Sequence, residues 1–161
     1  MIPLRAISFA LLLGLAAGPA WSMGGTDKAP DPFAKPVKPA DPNYAEGKKA
    51  IDAGNWPAAV AALTKVVATD PTNADAFNYL GYAQRKQQQY DQAFASYQKA
   101  LAIDPQHKGA HEYIGEAYLE TNNLGKAEEH LKALDKICLF SCKEYTELKA
   151  RVAEFKSKKS S

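Results

Sequence analysis

The chain has 161 residues, room for one domain of ordinary size, and its formal net charge of +2 arises from 20 basic and 18 acidic residues. That balance excludes a whole-molecule pull toward nucleic acid or an anionic membrane. With 46% apolar residues, 24% charged residues and only two cysteines, the composition is that of a soluble chain whose elements must bury their own core without a disulfide framework.

Met1 to Ser22 has the layout of a secretory signal peptide. Arg5 charges the n-region, Ala6 to Ala17 is an apolar h-region, and Ala20-Trp21-Ser22 offers small residues ahead of a cleavage point. The apolar run of about 12 residues is shorter than the ~20 that span a bilayer, so no membrane span is expected after cleavage. Residues 23–40 change composition. Pro30, Pro32, Pro36 and Pro39 lie close together, and each removes a backbone donor. A disordered, Pro-rich leader is expected there.

Helical punctuation begins at Asp41-Pro42, with Asp as N-cap and Pro in the first turn. Gly54-Asn55 closes a first helix and Trp56-Pro57 opens a second, which ends near Asp70-Pro71. Asn73 caps a third. A fourth starts at Tyr90-Asp91 and ends at Asp104-Pro105. The fifth carries His111, Ile114 and Tyr118, and the sixth Ala127, Leu131 and Leu134. Ser141 stands three residues before Glu144, the form of a capping box. It opens a seventh helix, 142–156, in which Tyr145, Leu148, Val152 and Phe155 make one apolar stripe. Residues 157–161 read as a short basic tail.

The sequence repeats itself. Tyr79-Leu80-Gly81 with Ala83 returns as Tyr113-Ile114-Gly115 with Ala117. Asp70-Pro71 returns as Asp104-Pro105, and Ala93 as Ala127. Each pair is 34 residues apart, the period of a stacked helical array. Small residues at Gly81 and Ala93 let two antiparallel helices cross closely, while Phe77, Leu80 and Tyr97 fill the space beside the crossing.

These residues resemble the tetratricopeptide repeat family. The pattern fits best over 74–107, through Phe77, Leu80, Gly81, Ala93, Tyr97, Ala100 and Pro105, with Gln84 departing from it. It fits 108–141 through Ile114, Gly115, Tyr118 and Ala127, departing at His111 and Leu139. It fits 40–73 through Gly47, Ala59 and Pro71. The resemblance implies an all-α, right-handed solenoid of three helix pairs followed by a capping helix that shields the last apolar face. It also implies a concave wall built from the first helix of each pair, lined here by Tyr44, Lys48, Asn78, Tyr82, Arg85, Lys86, Glu112 and Glu116. Asn suits peptide groups, Arg suits a carboxylate, and Tyr offers contact area at low entropy cost. Some family members clamp a chain-terminal carboxylate with basic residues in the fifth helix. Here that helix offers Gly109, Glu112 and Tyr113, so such a clamp is not expected.

Cys138 and Cys142 lie four apart. Behind a secretory signal they are expected to form a structural disulfide between the sixth and seventh helices. A thiol-redox role is the alternative, because Cys142 falls at a helix start, although the spacing differs from Cys-x-x-Cys. His107 and His111 are four apart but lack a third ligand, and no metal or cofactor site is expected. Nor does any phosphate loop, paired-carboxylate cleft or nucleophile elbow occur. The reading is a non-enzymatic, periplasmic binding module that holds a protein or peptide partner. A self-associating scaffold, and so a homo-oligomer, is the second reading.

Overall fold

The computed structural model describes residues 41–159, so the expected signal peptide and leader lie outside the described residues. Seven helices follow one another: α1 Pro42–Asp52, α2 Trp56–Thr69, α3 Ala74–Lys86, α4 Tyr90–Ile103, α5 Lys108–Glu120, α6 Leu124–Ile137 and α7 Lys143–Lys159. Among the described residues there is no strand. No helix there is long and apolar enough to cross a membrane.

Local chemistry explains the helix starts. The side chains of Asp41, Asn55, Asn73, His107 and Asn123 each accept a backbone N–H from the first turn of the helix they precede. Within each helix pair the turn contains one left-handed residue, at the same register: Gly54 (φ 68°), Gln88 (φ 61°) and Asn122 (φ 64°). Only the first is glycine, which adopts this conformation without steric cost.

The expected capping box at Ser141 does not form. Ser141 sits at φ 115°, and its hydroxyl lies 3.3 Å from Thr146 Oγ1. The Cys142 carbonyl instead accepts the Thr146 N–H at 3.1 Å, so the helix begins one residue later than that motif implies. Its other end continues through Lys159, past the expected boundary at 156.

Consecutive helices pack as antiparallel pairs, and each pair covers the next. In addition α3 touches α1 and α5, and α5 touches α7, so the odd-numbered helices form one layer. The core is a seam of three apolar clusters. The first joins Ala50, Ala59, Leu63, Leu80 and Ala83, the second Ala93, Tyr97, Ile114 and Ala117, and the third Leu119, Ala127, Leu134, Leu148 and Val152. Close crossings occur where glycine was expected to permit them. A Cβ on Gly47 would lie 2.7 Å from Leu63 Cγ, and one on Gly81 would lie 2.7 Å from the Tyr97 ring. In the third pair the neighbour is not Leu131 of α6. It is Leu148 of α7, whose Cδ2 would stand 2.6 Å from a Cβ on Gly115. The last helix therefore completes the third pair.

Candidate interaction surface

All eight residues expected to line a concave wall fall within the layer formed by α1, α3 and α5, Lys86 at the last position of α3. They differ in access. Tyr44, Lys48, Tyr82 and Glu116 are half-buried and Lys86 is exposed. Asn78, Arg85 and Glu112 are buried, with exposures of 4%, 3% and 5%.

The accessible part is aromatic. Trp56, Tyr82 and Tyr113 make a row with centroid separations of 5.8 Å and 4.8 Å, and Tyr44 meets Tyr79 edge-on at 6.1 Å. Ammonium groups lie over these rings. Lys86 Nζ is 5.3 Å from the Tyr82 centroid, while Lys48 Nζ is 4.3 Å from the Tyr79 centroid and donates to its hydroxyl at 3.0 Å. Aromatic faces of this kind carry negative potential and attract cations.

Arg85 does not wait for a partner's carboxylate, as the sequence had suggested. Its Nη2 lies 2.7 Å from Glu116 and its Nη1 2.6 Å from Glu120, and Arg151 of α7 approaches Glu116 at 3.5 Å. The guanidinium also lies 5.5 Å from the Tyr82 centroid and 5.8 Å from that of Tyr113. A buried cation needs this much company, because its hydration has been removed. The acids sit on α5, one period after Arg85, so the charge left over by one repeat is neutralised by the next.

Glu112, expected to line the wall, is likewise enclosed. Burial pushes its carboxyl up to about 8, helped by its hydrogen bond to Glu147 and by the charges of Glu147, Glu116 and Glu144. Asn78 is also enclosed, and its Oδ1 has no hydrogen-bond partner among the described residues.

Sequence reasoning missed one wall of the site. A cavity of about 240 Å³ opens between α3, α5 and α7, lined by Arg85, Lys86, Leu119, Arg151, Glu154, Phe155 and others. The signal was available: Tyr145, Leu148 and Val152 continue the 34-residue register from His111, Ile114 and Tyr118, so α7 takes the position of the first helix of a further pair.

The two histidines considered as ligands have other partners. His107 Nδ1 caps α5 by accepting from Ala110 N at 3.1 Å, which leaves Nε2–H to donate to Asp75 at 3.0 Å. His111 Nε2 faces the Pro105 carbonyl at 3.0 Å, and its Nδ1 lies 2.9 Å from Nδ1 of His130. His130 also stacks on Tyr118 at 5.7 Å. Cys138 and Cys142 are paired across the α6–α7 turn, with Cα atoms 5.6 Å apart.

A search of curated proteins finds no match to the chain. Among solved structures, the TPR2B domain of yeast Sti1, in a complex with an Hsp70 peptide, superposes with a TM-score of 0.64 at 24% identity, covering 70% of this chain and 94% of that one. The Yersinia enterocolitica type III secretion translocator chaperone SycD gives 0.66 at 21%, covering 74% and 84%. PcrH, solved with the chaperone-binding region of PopD, gives 0.65 at 21%, covering 73% and 90%. At these identities the likeness speaks for the fold alone. Two models described as tetratricopeptide repeat match residues 44–108 and 84–152, and together they span all three repeats. With the 34-residue register, the paired helices and the close crossings at Gly47 and Gly81, they show that the chain belongs to the tetratricopeptide repeat family.

Proposed function

We propose that the chain is a non-catalytic adaptor or assembly factor that holds an extended segment of a protein partner along the α1–α3–α5 layer. The observation that carries this reading is the row of half-buried rings from Trp56 through Tyr82 to Tyr113, with Lys86 above it and Lys48 at Tyr79. Rigid aromatic faces give contact area at small entropic cost and accept many sequences. The cavity against α7 supplies an anchor pocket beside that row, with Leu119 and Phe155 for an apolar stem and charged groups at its rim. Similar folds hold peptides: the Sti1 domain an Hsp70 peptide, and the first TPR of RPAP3 the HSP90 peptide SRMEEVD.

The surface has polarity. Lys48 and Lys86 favour acidic residues of the partner near α1 and α3. Near α7 the acids Glu116, Glu147 and Glu154 are each paired with a basic side chain, so that end offers mixed charge and the polarity comes from the lysines. The secretory signal expected over residues 1–22 supports a setting outside the cytoplasm, in the periplasm, an oxidising compartment that suits a structural disulfide between Cys138 and Cys142 at the start of α7.

The test is site-specific photo-crosslinking in cells. A photoreactive residue at Tyr82 should capture a partner peptide that mass spectrometry maps to one segment, whereas one at exposed Lys65 on α2 should not. In the chain that carries the photoreactive residue at Tyr82, replacing Trp56 and Lys86 by alanine should lower capture at least about tenfold. Arg85 is unsuitable for this purpose because its loss would disturb the fold. Equal capture from Lys65 and Tyr82 refutes the proposal.

A further inference from the structure

We propose that Leu139 and Phe140 form a tip that inserts into the lipid–water interface of a membrane. Leu139 is 84% exposed and Phe140 97%, whereas the next most exposed large apolar residue among the described residues, Ile103, reaches 37%. The array contains its own controls. The α6–α7 connection, Cys138-Leu139-Phe140-Ser141-Cys142, is one residue longer than the loops at the same register in the first two repeats, Asp70-Pro71-Thr72-Asn73 and Asp104-Pro105-Gln106-His107. Those loops join equivalent helices with polar residues and a proline, and Asn73 and His107 cap the helix that follows. The third abandons the proline and the cap and turns two large apolar side chains to water. Nothing in the helix packing demands this, since the fold meets the same need twice without it.

The surroundings of the tip favour lipid over a protein groove. A protein interface surrounds its apolar centre with further contacts that exclude water, and each partner contributes ~800 Å². Two side chains of this size offer roughly 300 Å². Of the residues flanking them, Ile137, Cys138 and Cys142 turn toward the core cluster below, and the exposed ones, Asp135, Lys136, Ser141 and Lys143, are polar. A lipid interface requires no rim. It accepts a protruding aliphatic and aromatic pair in the acyl boundary and leaves ammonium groups such as Lys136 and Lys143 at headgroup level. The Cys138–Cys142 pairing closes the loop on itself, which holds the two side chains in one presentation and limits the freedom lost on insertion. The exposed charges nearest the loop balance, Lys136 and Lys143 against Asp135 with half-buried Glu144, so apolar insertion governs binding more than lipid charge.

The test uses the full chain with phosphatidylcholine vesicles, and the same vesicles containing phosphatidylglycerol. A Phe140→Trp chain is compared with the unsubstituted chain, so that the added indole reports from this loop whatever the N-terminal apolar segment does. The added emission should shift to the blue on both kinds of vesicle and be quenched by lipid brominated near the headgroup end of the acyl chain. Reducing the cysteine pair should weaken the quenching. In a second arm, Leu139→Ser/Phe140→Ser should lower the vesicle-bound fraction attributable to the loop at least about tenfold while far-UV circular dichroism stays unchanged. An added indole that stays unshifted and unquenched on both vesicles overturns the proposal. So does a shift that occurs only when a partner protein is supplied, which would assign the tip to a protein pocket.

Discussion

Replacing Arg85 with Met is the sharpest test of how the repeats are joined. The substitution keeps an unbranched side chain of similar reach and removes only the charge and its donors. Arg85 lies within 2.7 Å of Glu116 and 2.6 Å of Glu120, and the side chains of the three are 2%, 14% and 40% exposed. At an effective dielectric constant of about 20, unit charges 4 Å apart interact by ~4 kcal/mol before desolvation is counted. Removing one partner of a buried pair costs about 3–5 kcal/mol, because the other is left without compensation. Glu120 remains in water and adds little, so the total should fall at the low end, ~3 kcal/mol. For a domain of this size that lowers the melting temperature by roughly 10 °C. Chemical denaturation of the single variants, of Glu116→Gln and of the double variant closes a mutant cycle, and the Arg85–Glu116 coupling should be about 2 kcal/mol. A cost under ~1 kcal/mol, the value for a surface pair, would refute the assignment of Arg85 as an internal tie. It would restore the idea that this residue is available to a partner.

Two further expectations follow from the backbone and from titration. Gln88→Gly should stabilise the chain by about 0.5–1 kcal/mol in urea unfolding, since glycine relieves the left-handed strain at φ 61°; destabilisation would mean that the Gln88 side chain matters more than its backbone. Stability should also have a plateau in pH. Glu112 is raised from 4.5 to about 8 by burial and neighbouring carboxylates, so its contribution is complete below 4.5 and is lost as pH rises through about 8. His130 is lowered from 6.5 to about 4, first by burial and then by His111, so its contribution is complete above 6.5 and is lost as pH falls through about 4. The two slopes oppose each other between 4.5 and 6.5 and should leave thermal stability nearly level there, with a decline on either side. Glu112→Gln should abolish the alkaline decline, and an unchanged profile in that variant would remove Glu112 from the account.

Most of the architecture was legible because it is written in local chemistry. Asp41 and Asn73 announced their helices, Gly47 and Gly81 marked the close crossings, and the repeated Asp-Pro pairs fixed the register. The candidate surface was legible only in part. Periodicity gives the direction in which Arg85, Asn78 and Glu112 point, but not how far α7 and the neighbouring helices close over them. Burial of a charge depends on partners one repeat away, such as Glu116 and Glu120. The Ser141–Glu144 spacing satisfied the capping pattern, yet the Cys138–Cys142 link and the left-handed backbone at Ser141 move that hydroxyl to Thr146. A covalent constraint outranks a preference worth about 1 kcal/mol.

The seating of Leu148 against Gly115 sets the third unit apart from the first two. A copy of that unit inserted before the last helix would separate Gly115 from Leu148 and put an isoleucine, the copy of Ile114, in its place. The branch would then stand one carbon nearer the backbone, at a crossing with no room to spare. Insertion is therefore easier near the middle, where each glycine meets a residue of its own unit.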